Sequence, residues 1–304
     1  MAATSSAREL EEKRRSGFID FFRRLAKEKQ LGAVGFVITV LLLAVGIFAD
    51  FIAPYGMNEI HAGPAMLGPS VGYPLGTDVA GRDMLSLIIY GAQISVIVGL
   101  AGSSLATIIL VVIGMLSGYI GGWFDMITQR FVDGFMCFPS LILLIVIMSV
   151  IGPGLWQVII VLGVQQGIIC SRIIRGATMS VKENVYVQAA VVIGCSNTRV
   201  LLRHVIPNIM APIIVMFFIL VPFIILAEAS LSFLGLGVPP PAPSWGRMLS
   251  GSGREYMFRN PWLVVWPGLA LSVVVYGVNV FGDAVRDILD PRLRGGVGRY
   301  GVKV

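Results

Sequence analysis

Long stretches without a charged side chain alternate with short segments dense in charge, and this alternation sets the predicted architecture. A helix needs about 20 apolar residues to cross hydrocarbon, so each uncharged interval can be counted as a span. Lys29 and Asp50 bound the first, residues 31–49. Residues 84–124 also lack charge and are most apolar over 94–119, predicting one long second span rather than two short ones broken near Gly99 or Gly102. Between Asp133 and Arg172 lie 38 uncharged residues, divided by Gly152-Pro153-Gly154, whose turn chemistry predicts a hairpin of spans three and four. Residues 209–226 and 260–282 supply spans five and six, with Pro139, Pro222 and Pro267 predicted inside spans three, five and six. The expected fold class is an all-α polytopic membrane protein with six transmembrane helices.

Composition agrees with this count. Hydrophobic residues make up 56% of the 304 positions and charged residues 13%, with a net charge of +6. The mean hydropathy is +0.84. Soluble domains carry about 25% charged residues, so a soluble enzyme is excluded. With six spans, only Arg82, Arg247, Arg254 and Arg259 of the 23 basic residues fall on one side, and the other nineteen share the side of both termini. The positive-inside rule then predicts cytoplasmic termini. A seventh span would send the tail bearing Arg292, Arg294, Arg299 and Lys303 outside. The first thirty residues hold eight basic and five acidic side chains, unlike the short basic region of a cleaved signal peptide. There Phe18, Ile19, Phe21, Phe22 and Leu25 interleave with Arg23, Arg24 and Lys27, which reads as an amphipathic helix on the inner membrane surface or as a basic tail that sets topology.

The sequence also narrows the chemistry. No lysine follows a glycine, so the phosphate loop of nucleotide hydrolases is absent and the chain is expected to be non-catalytic. Cys137, Cys170 and Cys195 stand singly and His61 and His204 fall on opposite sides of the membrane, so neither a disulfide framework nor a metal centre is indicated. Ionisable groups at membrane depth are costly, which singles out Asp50, Arg130, Asp133 and Glu228. Asp50 sits at the outer end of span one. Arg130 and Asp133, three residues apart, are predicted to pair on one helix face. Glu228 is predicted near the outer end of span five, facing protein or a water-filled cavity.

One polar segment stands out, the loop 177–208 between spans four and five. Val185, Ala189, Val192 and Ile193 recur at helical spacing, Gly194 is suited to end that helix, and Ser196 or Asn197 can cap a second, which Pro207 would stop. Two short helices with the small residues Ala189, Ala190 and Gly194 at their bend make either a knob that seats in a partner's groove or a connector lying on the membrane.

This segment resembles the EAA loop of ABC importer permeases: an acidic-Ala-Ala, a glycine four positions on, and a later apolar-Pro correspond to Gln188-Ala189-Ala190, Gly194 and Ile206-Pro207. Gln188 departs from the acidic position. Residues 74–83 (PLGTDVAGRD), 90–95 (YGAQIS), 203–208 (RHVIPN), 230–237 (SLSFLGLG), 240–246 (PPAPSWG) and 282–291 (GDAVRDILDP) also resemble motifs of the peptide and nickel branch, specifically its C-type subunit of dipeptide and oligopeptide systems.

The resemblance implies a type I ABC importer permease fold, with a type-1 domain over 91–283, an N-terminal segment 1–30, a first span 31–52, an extracytoplasmic segment 53–90 and a cytoplasmic tail 284–304. It implies that Gln188, Ala189, Ala190, Gly194, Arg203, His204, Pro207 and Asn208 form the ATPase-coupling loop. It implies partners as well: a second, B-type permease, two cytoplasmic ATPase subunits that bind ATP and Mg, an extracytoplasmic solute-binding protein and a peptide substrate, in a bacterial inner membrane. Relatives with these motifs also move glutathione, murein peptides or nickel chelates. Arg82, Arg247, Arg254 and Arg259 are candidates to meet a binding protein or a peptide carboxylate, or are solvated loop charges. A self-contained ion- or proton-coupled carrier, or a membrane enzyme, built on Glu228 and Asp133 is the competing reading. No role for nucleic acid is indicated.

Overall fold

Backbone N–H and C=O groups in hydrocarbon find no water, so the uncharged intervals fold as helices that satisfy them internally. The structure, a computed structural model, describes residues 21–289. All its regular elements are helical, and Thr77 and Asp83 form only an isolated bridge. The residues in chain order are α1 (21–28), α2 (Gln30–Ile47), α3 (Ala49–Ile52), α4 (Met84–Ile120), α5 (Gly122–Met136), α6 (Ser140–Ile151), α7 (Leu155–Lys182), α8 (Val185–Val192), α9 (Asn197–Val200), a π turn (Leu201–Val205), α10 (Ile206–Phe233), α11 (Trp245–Leu249), α12 (Gly251–Tyr256) and α13 (Trp262–Leu289).

The centre of the molecule is the pair α4 and α7. Asp83 starts α4 by accepting the Ser86 amide at 2.8 Å and its hydroxyl at 2.7 Å. The helix then runs unbroken for 37 residues, about 55 Å, through Gly99 and Gly102. Those glycines do not break it; they are contact points, as are Gly118, whose hypothetical Cβ would lie 2.7 Å from the Arg175 carbonyl, and Gly167, 2.6 Å from the Cβ of Ile109. Lipid tails are as apolar as the helices, so association rests on close packing, which small residues permit.

The contacts run in the same sense along both helices: Gly102 faces residue 159, Gly167 faces Ala106, and Gly118 faces Arg175. α4 and α7 are therefore parallel, and residues 121–154 must return across the bundle. They do so as α5 and α6, bent by 88°. This corrects the expected third span. Pro139 does not lie inside a continuous helix but at the break, ahead of Ser140; it has no N–H to continue the ladder, and its ring clashes with the preceding turn. With 15 and 12 residues, about 22 and 18 Å, neither piece alone spans the roughly 30 Å core. Among the described residues, five helices are long and apolar enough to cross, and six crossings result when the bent pair counts as one. The hairpin at Gly152-Pro153-Gly154 forms where predicted, between α6 and α7.

Around this pair, α10 packs Ile224 and Ile225 against Gly102 and Gly99 of α4. α2 lies antiparallel to α13, with Gly35 against Gly277 and Gly32 against Ala284. Pro222 and Pro267 lie inside α10 and α13 as expected, with Pro212 as a further interior proline. α4 begins at Met84, the first residue of its uncharged interval, and α13 continues to Leu289, past the expected end of span six at 282.

At one end of the bundle Leu25 is buried against Phe281, Ala284 and Val285, and Lys29 pairs with Asp287 at 2.6 Å. Phe21, Phe22 and Leu25 thus pack on the protein; Phe18, Ile19 and the basic tail from Arg292 to Lys303 lie outside the described residues. At the other end, segment 53–83 folds onto the loops after α10. The Asn260 side chain donates to the Met66 carbonyl at 3.1 Å, and the Trp245 indole N–H to the Ile88 carbonyl at 3.1 Å.

If α4 and α7 depend on backbone proximity, Gly167→Ala should lower stability by about 1–3 kcal/mol through overpacking against α4. Gly134→Ala on α5, with no atom within 4 Å of the new methyl, should be neutral or slightly stabilising. Thermal unfolding of both variants in detergent checks this.

Candidate functional site

The loop between α7 and α10 is a folded unit. Asn184 opens α8, its carbonyl accepting the amides of Val187 and Gln188 at 3.0 and 3.1 Å. Gly194 closes it at φ +90°, a left-handed conformation natural to glycine. Its amide donates to the Val191 carbonyl and the Cys195 amide to the Ala190 carbonyl, both at 3.0 Å, the paired bonds of a Schellman cap. Gly194 therefore ends the helix as predicted, and Ser196 stands at the N-cap of α9.

α8 turns Val187 and Ala190 inward, 1% and 8% exposed, against the main core. The face predicted from Val185, Ala189, Val192 and Ile193 exists but points away from the protein: Val185, Val192 and Ile193 are more than four-fifths exposed. Gln188 and Ala189 are exposed beside them. Large apolar side chains held outward on a capped helix are a surface built for contact.

The second half of the loop departs from expectation. Pro207 does not stop a second short helix; α9, the π turn and α10 form one continuous run of 37 residues. Proline cannot donate to the carbonyl four residues back, and a π turn accommodates the misfit. The Ile206 amide reaches back five residues to the Leu201 carbonyl, so Pro207 enters at the first turn of α10, where no donor is required. Arg203 is exposed on this turn and His204 is half-buried, its carbonyl accepting from the Asn208 amide side chain at 2.7 Å.

Tyr119, a residue the sequence reading passed over, clamps both ends of the loop. Lys182 at the end of α7 donates to the Tyr119 carbonyl at 2.6 Å and lies 5.4 Å from the centre of its ring. The Tyr119 hydroxyl donates to Asn197 Oδ1 at 3.1 Å. A cavity of about 690 Å³ opens between the helix ends, lined by Tyr119, Lys182, Gln188, Val191 and Asn197 among others.

Two ion pairs fix α5 to α7 beneath this clamp. Arg175 grips Asp125 with both prongs of its guanidinium, at 2.6 and 2.5 Å, while the Ser117 hydroxyl donates to Asp125 at 2.5 Å. Asp133 pairs closely with Arg172 and more loosely, at 3.6 Å, with Arg130. The expected Arg130–Asp133 pair is thus the weaker partner of a triad. Arg172 was findable: Asp133 and Arg172 bound an uncharged interval of 38 residues, and a hairpin brings its ends together.

At the opposite end Glu228 is 1% exposed and faces protein, its Oε1 accepting the hydroxyls of Ser232 at 2.6 Å and Ser244 at 2.8 Å. That ties the loop after α10 to the helix. Of the four arginines expected on the outer side, Arg82 and Arg247 are half-buried and meet at one cavity, while Arg254 and Arg259 are exposed.

Comparison with known proteins places these features in context. Residues 110–295 match the family described as binding-protein-dependent transport system inner membrane component, and residues 16–69 match the N-terminal transmembrane domain of oligopeptide transport permease C. The chain is 37% identical over 273 residues to a dipeptide transport system permease protein of Alkalihalophilus pseudofirmus, covering 90% of this chain and 89% of that one. It is 37% identical to an oligopeptide transport system permease protein of Bacillus subtilis, covering 88% of each. It is 36% identical to a glutathione transport system permease protein of Escherichia coli, covering 92% of each. A solved chain of the MetNI methionine ABC transporter, in inward-facing conformations, shares the fold with a TM-score of 0.56 at 16% identity, over 68% of this chain and 98% of that one.

Tyr119→Phe removes the bond to Asn197 and keeps the ring under Lys182. A lost hydrogen bond of about 1 kcal/mol should raise amide hydrogen exchange across residues 185–197 roughly fivefold and leave the middle of α4 unchanged, as read by exchange mass spectrometry.

Proposed function

The chain belongs to the family of binding-protein-dependent transport system inner membrane components, and from that premise we propose how it works within an ATP-driven importer. It is a multi-pass inner membrane protein with the type I ABC importer permease fold, and its role is that of a permease subunit for dipeptides and oligopeptides. Relatives named for dipeptide, oligopeptide and glutathione transport support small peptides as the substrate class.

In this reading the chain forms half of the pore with a second permease, and two cytoplasmic ATPases bind ATP and Mg. A solute-binding protein delivers peptide to the end that carries segment 53–83. Both termini lie in the cytoplasm, as the distribution of arginine and lysine favours.

The observation that carries the proposal is the outward apolar face of α8. Each of Val185, Val192 and Ile193 contributes about 1.5–3 kcal/mol when fully covered, enough for an ATPase groove to hold the helix through a stroke. Closure of the ATPases moves α8, and Tyr119 and Lys182 pass that motion to α4 and α7, rocking the spans between inward-open and outward-open states. Gly194 and Gln188 shape the knob, while Pro207 and Asn208 join it to α10. A self-contained carrier built on Glu228 and Asp133 gains no support, because Asp133 is paired with Arg172 and Glu228 is bonded to two serines.

The test is purification in mild detergent with the neighbouring transport subunits expressed together. A second permease and ATPase subunits should co-elute with this chain; transport by this chain alone would overturn the proposal. In the reconstituted complex, Ile193→Glu should weaken ATPase association at least tenfold. Gly194→Arg, at a position where φ is +90°, should leave the chain inserted and abolish peptide-stimulated ATP hydrolysis.

A further inference from the structure

A cavity of about 220 Å³ lies at the end of the bundle opposite α8, where the outer segment, the first turn of α4 and the helix α11 meet. Its walls include Asp78, Arg82, Met84, Leu87, Arg247 and Met248. The two guanidiniums have unequal partners. Arg82 is neutralised: its Nε and Nη2 both lie 2.7 Å from Asp78 Oδ2. Asp78 has no oxygen to spare, because its Oδ1 accepts the amides of Ala80 and Arg82 at 2.8 and 2.9 Å.

Arg247 is held instead by neutral groups, donating to the carbonyls of Val238 at 3.0 Å and Ala242 at 2.5 Å. Those bonds orient the guanidinium without cancelling its charge, and among the described residues it forms no ion pair. Glu228 attracts it without a hydrogen bond and is engaged by Ser232 and Ser244. Burial, and then the facing charge of Arg82, press the Arg247 pKa below the usual arginine range, while Glu228 offsets part of this. A half-buried cation held in place, facing a second cation and bonded to no anion, is an arrangement completed by a carboxylate from elsewhere.

We propose that this cavity receives one Asp or Glu side chain of the extracytoplasmic binding protein, paired with Arg247 beside the Arg82–Asp78 pair, and that this contact docks that protein on the permease. The proposal rests on the importer reading given above. The volume suits a single side chain rather than a peptide, since ligand pockets run from about 300 to 1,000 Å³. The site is reachable, with the Arg82 side chain 30% exposed. The segment that follows Gly253 of its wall exposes Arg254, Glu255, Arg259 and a Phe258 that is 91% exposed.

The test uses the complete transporter in nanodiscs of zwitterionic lipid, with its own binding protein titrated against it. Arg247→Gln should raise the Kd of the binding protein roughly thirtyfold, Arg247→Lys should raise it less, and the salt dependence of binding should flatten in Arg247→Gln. Because Arg247 also holds two loop carbonyls, a second variant keeps it: Met248→Glu supplies a carboxylate to the same cavity from within and should likewise weaken docking without lowering the thermal unfolding temperature. An unchanged Kd in both variants overturns the proposal. So does an unchanged Kd with an altered KM for peptide, which would assign the site to the peptide carboxylate, or wild-type docking that appears only with anionic lipid, which would assign it to a phosphate headgroup. If the wild-type complex shows no response to any binding protein, the importer reading itself fails.

Discussion

The structure depends on two helices that touch backbone to backbone. In hydrocarbon, α4 and α7 gain little from excluding lipid, so their association rests on fit, and the fit exists because Gly118 and Gly167 carry no side chain at the contact. The parallel run of the two helices follows, and it forces the chain between them back across the bundle through the bent pair α5 and α6. The same contact brings the ends of α4 and α7 side by side. Tyr119 and Lys182 can then bond, and the loop that leaves α7 is anchored before it begins.

That anchoring gives the loop between α7 and α10 a fixed shape. α8 is capped at Gly194, pinned through Val187 and Ala190, and tied across by Tyr119 and Asn197. Force applied to its outward apolar face meets a rigid body. The bidentate Arg175–Asp125 contact and the Asp133 triad extend that body to α5, so α4, α5, α7, α8 and α9 share one junction at this end of the bundle.

Much of this was legible in the sequence, and the parts that were not share a cause. Uncharged intervals located the spans because the cost of burying charge in lipid is large and local in sequence. Gly194 announced the end of α8 because few other residues accept its conformation. Pro139 and Pro207 each showed a disturbance in the ladder, but not how the backbone resolves it, which is a break at one and a π turn at the other. Tyr119 was invisible, since its partners Lys182 and Asn197 lie 63 and 78 positions away and only the packing of α4 on α7 joins them. The outer arginines were visible as charges; that Arg82 is neutralised and Arg247 is not depends on which carbonyls and carboxylates the fold brings near.

α4 begins at the walls of the outer cavity, with Met84 and Leu87, and ends at Tyr119 under the loop. It is one uninterrupted rod about 55 Å long, twice nearly the depth of the hydrocarbon core. A rod with no hinge has one tilt, so whatever grips its two ends reads the same variable. Thermodynamic reciprocity then applies: a ligand at one end that favours a particular tilt by some factor in affinity changes binding at the other end by that same factor. In the proposed importer, coupling between the two ends of α4 is thus symmetric, with neither end the sole sender.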